Sequence, residues 1–392
     1  MNFNYFIPTK ILFGAGKLNE LEKETLPGKK ALIVISSGNT MKKNGYLDRL
    51  ITILKNKNID YVLFDKILPN PIKAHVMEGA SLAKQEGCDF VVGLGGGSSI
   101  DSAKSIAVMA KNPGDYWDYV SGGTGKGMPT LNGALPIVAI TTTAGTGTEA
   151  DPWTVITKED TNEKIGFGNS YTFPVLSVVD PELMLSVPAH LTAYQGFDAL
   201  FHAVEGYIAN IATPISDAFA LKSMELIAKY LPACIKDGNN IEARWQVALA
   251  NTLSGLVEST SSCTSEHSME HALSAYHHQL PHGAGLIILS EAYHTFFSAK
   301  VPHRYTAMAN AMGVDVDSLP EDSRAMSFVK ALLQLQKACG VDTLKMSDYG
   351  IEREEIPKLA ENAHATMGGL FELDPYSLSL KETIEIMENS YK

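Results

Sequence analysis

Cysteine is scarce in this chain: Cys88, Cys234, Cys263 and Cys339 are the only four in 392 residues, and none belongs to a C-x-x-C pair. That excludes a disulfide framework or a cysteine-built zinc site as the organising feature, and suits thiols kept reduced in a cytoplasm, the expected location. Basic excess is also missing. Lys and Arg number 32 against 44 Asp and Glu, a net charge of −12, so no surplus exists to hold a phosphate backbone or an anionic membrane surface. Nucleic acid and membrane partners are therefore not expected. No run approaches the roughly 18 apolar residues of a membrane span, and the start, Met-Asn-Phe-Asn-Tyr-Phe-Ile-Pro, lacks the basic and apolar pattern of a signal peptide. Internal repeats and low-complexity tracts are absent too.

What is present is the composition of a globular enzyme: 45% hydrophobic, 19% charged, with 32 glycines along a chain long enough for two domains. Short apolar runs at 30–35, 60–64, 89–94 and 137–140 alternate with segments of helical period at 46–54, 74–85 and 100–110. Strict alternation requires crossover connections, hence a parallel sheet covered on both faces. After Pro188 the pattern changes to long helical periods, as in 193–210, 214–230, 244–258 and 326–338. The expected fold is an α/β, Rossmann-like parallel-sheet domain over 1–185, followed by an all-α domain over 186–392.

Immediately after the apolar run ending at Leu94 comes Gly95-Gly96-Gly97-Ser98-Ser99, opening a helix that continues through Asp101 and Lys104. Three glycines allow close backbone approach, and the first N–H groups of a helix favour an anion such as a pyrophosphate. The run departs from G-x-G-x-x-G, because Ser98 stands at the third position of that spacing and the run follows the third strand rather than the first. A second loop, Thr142-Thr143-Ala144-Gly145-Thr146, follows the next strand and could offer hydroxyls and amides to a ribose or carboxamide.

Further on, Thr192 and Gln195 have the spacing of a capping box, which predicts a helix start there. Asp198 and His202 then fall four apart on one helical face among Phe197, Leu200, Phe201 and Val204, so both should be buried and able to reach one cation. His267 and His271 repeat the spacing of four, and His282 opens the next apolar segment. Aspartate with several histidines makes a mixed oxygen and nitrogen set, suited to iron(II) or zinc and too rich in nitrogen for magnesium or calcium.

Taken together, Phe6–Gly16, Gly95–Lys104, Thr142–Glu149, Thr192–Glu205 and His267–Gly283 resemble the iron-containing alcohol dehydrogenase family, in order and spacing. The resemblance implies a nucleotide domain followed by a helical metal domain, a homodimer, and NAD(P)-linked interconversion of a small alcohol and its aldehyde with one Fe²⁺ or Zn²⁺. By the family pattern Asp198, His202, His267 and His282 are the metal ligands. His271 lies near the reacting centre and is expected to relay the proton. The cofactor contacts map onto Gly95, Gly96, Gly97, Ser98, Ser99, Asp101 and Lys104 and onto Thr142, Thr143 and Thr146.

Two departures stand out. The interval from His271 to His282 is one residue longer than usual, with His277-His278 inside it, which hints at tolerance for an anionic group. Where many NAD-using relatives carry an acid after the first nucleotide strand, this chain has Ser36-Ser37-Gly38, with Lys42 and Lys43 following, which favours NADP. Competing readings are a dehydroquinate synthase-like cyclase or glycerol (phosphate) dehydrogenase of the same plan, and a non-catalytic metal- or nucleotide-binding sensor.

Overall fold

The computed structural model describes residues 2–392, which divide into two compact units: residues 6–186, and residues 187–392 together with residues 2–5.

In the first unit a six-stranded sheet is wholly parallel. Its strands are β1 (Lys10–Phe13), β2 (Lys30–Ser36), β3 (Asp60–Ile67), β4 (Phe90–Gly95), β5 (Ile137–Thr141) and β8 (Leu176–Val179), in the order β1-β8-β5-β4-β2-β3. β4, β5 and β8 are buried along their whole length and β2 at five consecutive positions. Continuous apolar runs are what a sheet covered on both faces demands. Helices α1 (Tyr46–Asn56), α2 (Lys73–Glu86) and α3 (Gly97–Lys111) connect the strands. α1 turns Tyr46, Leu47, Leu50, Ile53 and Leu54 into the core. An antiparallel pair, β6 (Thr154–Lys158) and β7 (Glu163–Phe167), forms a separate two-stranded sheet that the sequence pattern did not suggest.

The chain passes from β2 to β3 at one edge, then returns to place β4 on the other side of β2. The direction of winding therefore reverses between β2 and β4. Ligands of open parallel sheets settle at the strand carboxyl ends where such a reversal occurs. Those ends are Ser36 and Gly95.

The second unit is helical: α4 (Ala189–Ile208), α5 (Pro214–Lys236), α6 (Ile241–Ser261), α7 (Ser265–Tyr276), α8 (His282–Ser298), α9 (Pro302–Ala311), α10 (Met326–Ala338), α11 (Ile356–Glu372) and α12 (Leu380–Ser390), with short turns between. α4 is buried at every position from Gly196 to Ile208. Its start corrects the expectation of a capping box at Thr192. Pro188 is the N-cap residue in extended conformation, and Thr192 already lies within the helix, its N–H donating to the Pro188 carbonyl at 2.8 Å. The Thr192 hydroxyl serves tertiary packing instead, accepting from Arg244 Nη1 at 2.8 Å. Among the described residues no helix is long and apolar enough to cross a membrane.

Candidate metal centre and nucleotide loops

Three helices of the second unit carry the expected metal ligands. α4 supplies Asp198 and His202 one turn apart, α7 supplies His267 and His271, and α8 begins on His282. Two glycines allow that convergence. A Cβ on Gly283 would lie 2.7 Å from the Tyr194 carbonyl carbon, and one on Gly285 would lie 2.8 Å from Glu270 Cγ. Only bare backbone lets the start of α8 approach α4 and α7 so closely.

Asp198 is the hub. Its Oδ1 stands 3.6 Å from His202 Nδ1, 3.7 Å from His267 Nε2 and 3.5 Å from His282 Nε2. Ligands at the corners of a tetrahedron around zinc or a similar ion stand roughly 3.3–3.6 Å apart. Ligand atoms of Asp198, His267 and His282 lie mutually within 4.8 Å. Asp198, His202 and His267 are buried to 5% exposure or less.

Two carboxylates fix the imidazoles from behind. Glu205 takes His267 Nδ1 and Glu270 takes His282 Nδ1, both in short hydrogen bonds, and both glutamates are wholly buried. With Nδ1–H given to a carboxylate, a neutral imidazole keeps its lone pair on Nε2. At both histidines that lone pair faces the Asp198 oxygen. Asp198 Oδ1 and His267 Nε2 have no hydrogen-bond partner. Two buried acceptors facing each other repel unless something positive stands between them. The donor set therefore fits a divalent cation. Burial pushes the Asp198 carboxyl up, and without an ion it is held at about 2 by positive charge on His202, His282 and His267; with those imidazoles neutral, a cation takes over that role.

Glu205 also anchors the start of α7, accepting from the Thr264 N–H at 2.7 Å and its hydroxyl at 2.9 Å. A carboxylate at a helix N-terminus is well placed electrostatically. Neither Glu205 nor Glu270 was picked out from the sequence, although a signal was there. His202-Ala-Val-Glu205 and His267-Ser-Met-Glu270 share a His-x-x-Glu spacing that puts each glutamate on its histidine's face.

His271 lies beside the cluster. Its ring centre is 5.4 Å from that of His282 and 6.2 Å from that of His267, and its Nδ1 faces the Met367 sulfur at 2.8 Å. Met367 itself breaks the helical geometry of α11 (φ −129°, ψ 41°). The His277-His278 hint of an anion site is not carried forward, because His277 Nε2 stands 3.2 Å from the Glu355 carboxylate.

In the first unit the two expected nucleotide loops meet. Thr142 N–H donates to the Gly95 carbonyl at 2.9 Å. A Cβ on Gly96 would fall 3.0 Å from Thr143 Cγ2, and one on Gly97 would fall 3.1 Å from Thr146 Oγ1. The first-turn N–H groups of Gly97 and Ser98 precede any i−4 carbonyl of α3, so they are available to an anion. The side chains behave differently from the sequence expectation. The Ser98 hydroxyl donates to the Pro69 carbonyl. Lys104 is fully buried and donates to Thr148 Oγ1 (2.7 Å), the Asp151 carbonyl (2.9 Å) and carboxylate (3.1 Å), and the Trp153 carbonyl (2.7 Å). Asp101 accepts from Thr148 Oγ1 at 2.7 Å and the Val155 N–H at 3.0 Å, and burial lifts its carboxyl to about 6. Asp101 and Lys104 thus brace the loop from inside. Ser36 ends β2 and Ser37 and Gly38 follow it, with Ser37 N–H donating to the Ile67 carbonyl at 2.8 Å. Lys42 is not a lone cation there: its ammonium pairs with Asp65 at 2.5 Å.

Comparison with known proteins gives the same result for both units. The family model described as iron-containing alcohol dehydrogenase matches residues 8–181, and the C-terminal model of the Fe-containing alcohol dehydrogenase family matches residues 192–391. The chain is 33% identical over 392 residues to a 1,3-propanediol dehydrogenase of Citrobacter freundii, covering 99% of each. It is also 33% identical over 390 residues to an NAD-dependent methanol dehydrogenase of Bacillus methanolicus, again covering 99% of each. Among solved structures it is similar to an archaeal halo-thermophilic alcohol dehydrogenase from a Red Sea brine pool, with a TM-score of 0.93 and 34% identity, covering 100% of this chain and 99% of that one.

Proposed function

Because this chain belongs to the iron-containing alcohol dehydrogenase family, we propose that Asp198, His202, His267 and His282 hold the divalent ion of a metal-dependent, nicotinamide-linked alcohol dehydrogenase. One observation carries the assignment: the Nε2 atoms of buried His267 and partly buried His282 converge on the ionised Asp198 oxygen. When bound, the ion polarises a small alcohol or aldehyde at its oxygen and the nicotinamide gives or takes hydride. The chain's own residues do the rest. Glu205 and Glu270 hold the imidazole rings in one tautomer and orientation. Gly95 to Ser98 and Thr142 to Thr146 hold the dinucleotide by backbone amides and small hydroxyls, with Asp101 and Lys104 bracing them.

His271 is the group for the proton that the substrate oxygen must gain or lose. Its ring centre lies 5.4 Å from that of His282, beside the ligands, and the proton transfer is assigned to its imidazole. His271→Ala should lower turnover by about 10²-fold or more while metal content stays near one per chain; loss of the metal instead would make His271 a ligand.

Iron and zinc both suit this ligand set. The sequence alone favours NADP through its serines and lysines, yet Asp65 neutralises Lys42 and sets a carboxylate near the end of β2. With its ammonium paired, Lys42 offers no free charge to a 2′-phosphate, which weakens the case for NADP; the similar Bacillus methanolicus enzyme is NAD-dependent by name. A cytoplasmic homodimer completes the reading. The test is metal analysis of the purified chain beside initial rates with NADH and NADPH over short aldehydes. One bound ion per chain and metal-dependent, aldehyde-dependent loss of reduced cofactor are expected. Full activity in metal-free protein would overturn the assignment.

A further inference from the structure

A second group of metal-binding side chains lies against the first. His202 presents Nδ1 to Asp198 and Nε2 to Glu258, whose Oε2 is 3.7 Å away. The other oxygen of Glu258 is 3.7 Å from the sulfur of Cys263. One ligand atom from each of His202, Cys263 and His267 lies within 4.8 Å of the other two, and all three residues are buried. Glu258 comes from the last turn of α6, and Cys263 from the tight link to α7, where Ser262 takes a left-handed conformation (φ 61°). The link thus aims a sulfur at two imidazoles that Asp198 also faces. His202 and His267 are common to both groups, and the Nε2 of His267 has no hydrogen-bond partner.

The two donor sets differ in softness. Asp198 and His282 add a carboxylate oxygen and an imidazole, which iron(II) accepts; Cys263 adds a thiolate, which zinc-class ions take readily. We propose that His202, Cys263 and His267, with Glu258, form a second, sulfur-containing position for a zinc-class divalent ion, competing with iron held at Asp198 and His282. This rests on the reading of Asp198, His202, His267 and His282 as the iron cage. Because two histidines are shared, one ion excludes the other, and each chain holds one. Zinc entering the second position forms a metal–sulfur bond as the Cys263 S–H breaks, and its proton leaves to solvent.

The test is X-ray absorption at the metal edge on the full chain, loaded separately with iron(II) and with zinc, in wild type and Cys263→Ser. Wild type with zinc should show one sulfur neighbour at about 2.3 Å, and wild type with iron only nitrogen and oxygen neighbours. Cys263→Ser should lose the sulfur neighbour and bind zinc at least ~10-fold more weakly, while keeping one iron per chain. Zinc surrounded only by nitrogen and oxygen in wild type, absence of bound zinc, or a sulfur neighbour that persists in Cys263→Ser would each overturn the proposal. Should the variant fold poorly, the wild-type zinc spectrum decides alone. Failure of wild type to bind iron would instead count against the iron cage, and the zinc spectrum would still decide the sulfur position.

Discussion

Glu205 shows how much a single side chain can do without touching the ion. It orients His267 through Nδ1 and accepts from the N–H and hydroxyl of Thr264 at the head of α7. Glu205→Gln keeps the shape and removes the charge, so metal affinity should fall about 10- to 100-fold with helical content unchanged; isothermal titration of the metal-free chain with Fe²⁺ or Zn²⁺ measures it, and unchanged affinity would rule out the orienting role. Asp374 offers a separate test of the buried charge nearby. It accepts from Ser265 N–H at 3.2 Å and Tyr293 hydroxyl at 3.1 Å. Burial, with Glu205 adding to it, lifts its carboxyl from an ordinary 3.8 to about 7 against those hydrogen bonds. A raised folded value means that its contribution to stability is full below pH 3.8 and is lost as pH rises through 7. Asp374→Asn does not titrate. Its unfolding free energy relative to wild type should therefore climb between pH 5 and pH 8, by an amount on the order of a few kcal/mol at most, read from denaturant melts across that range; a difference flat with pH would contradict the burial argument.

At the scale of elements, the glycine turn between β4 and α3 owes its form to what packs on it. Gly97→Ala would press a methyl group against Thr146, at a cost of about 1–3 kcal/mol to the loop's geometry. The expected outcome is a KM for the nicotinamide raised roughly 10-fold or more with metal content unchanged, read from initial rates beside metal analysis; equal KM values would show that the turn does not hold the cofactor. This turn was legible in the sequence because three glycines after a buried strand have few other uses. The same holds for β2, β4 and β5, whose runs are apolar throughout. β1 and β8 escaped because four residues are too few to show a period, and β1 is only half-buried at the sheet edge. β6 and β7 mix Thr, Lys and Glu with apolar residues and resemble loop until they pair. In the helical unit, Asp198 and His202 stood out as polar groups in apolar surroundings, while His267 and His282 were marked by histidine spacing and density and joined to them by the family resemblance. Glu205 and Glu270 did not, since a glutamate on a helix ordinarily marks its solvent face. Asp65 was hidden for another reason: its nearness to Lys42 is created by strand order, which local spacing does not encode.

Across the whole molecule, the proposed centre would tie three helices of the second unit to one ion, so metal should act as a folding ligand as well as a reactant. At a free ion concentration 100 times Kd, binding adds about 2.7 kcal/mol to stability. Chelation should accordingly lower Tm by a few degrees and abolish aldehyde reduction, and readdition of Fe²⁺ should restore both; a chelated chain with unaltered Tm would mean the cluster is self-sufficient. The central claim is that four side chains share one cation. Anomalous diffraction at the iron edge from crystals of the iron-loaded chain addresses it directly. One strong peak per chain is expected, within about 2.0–2.2 Å of Asp198, His202, His267 and His282 together. Iron located elsewhere in the chain, or no peak among those four residues in catalytically active crystals, would contradict it.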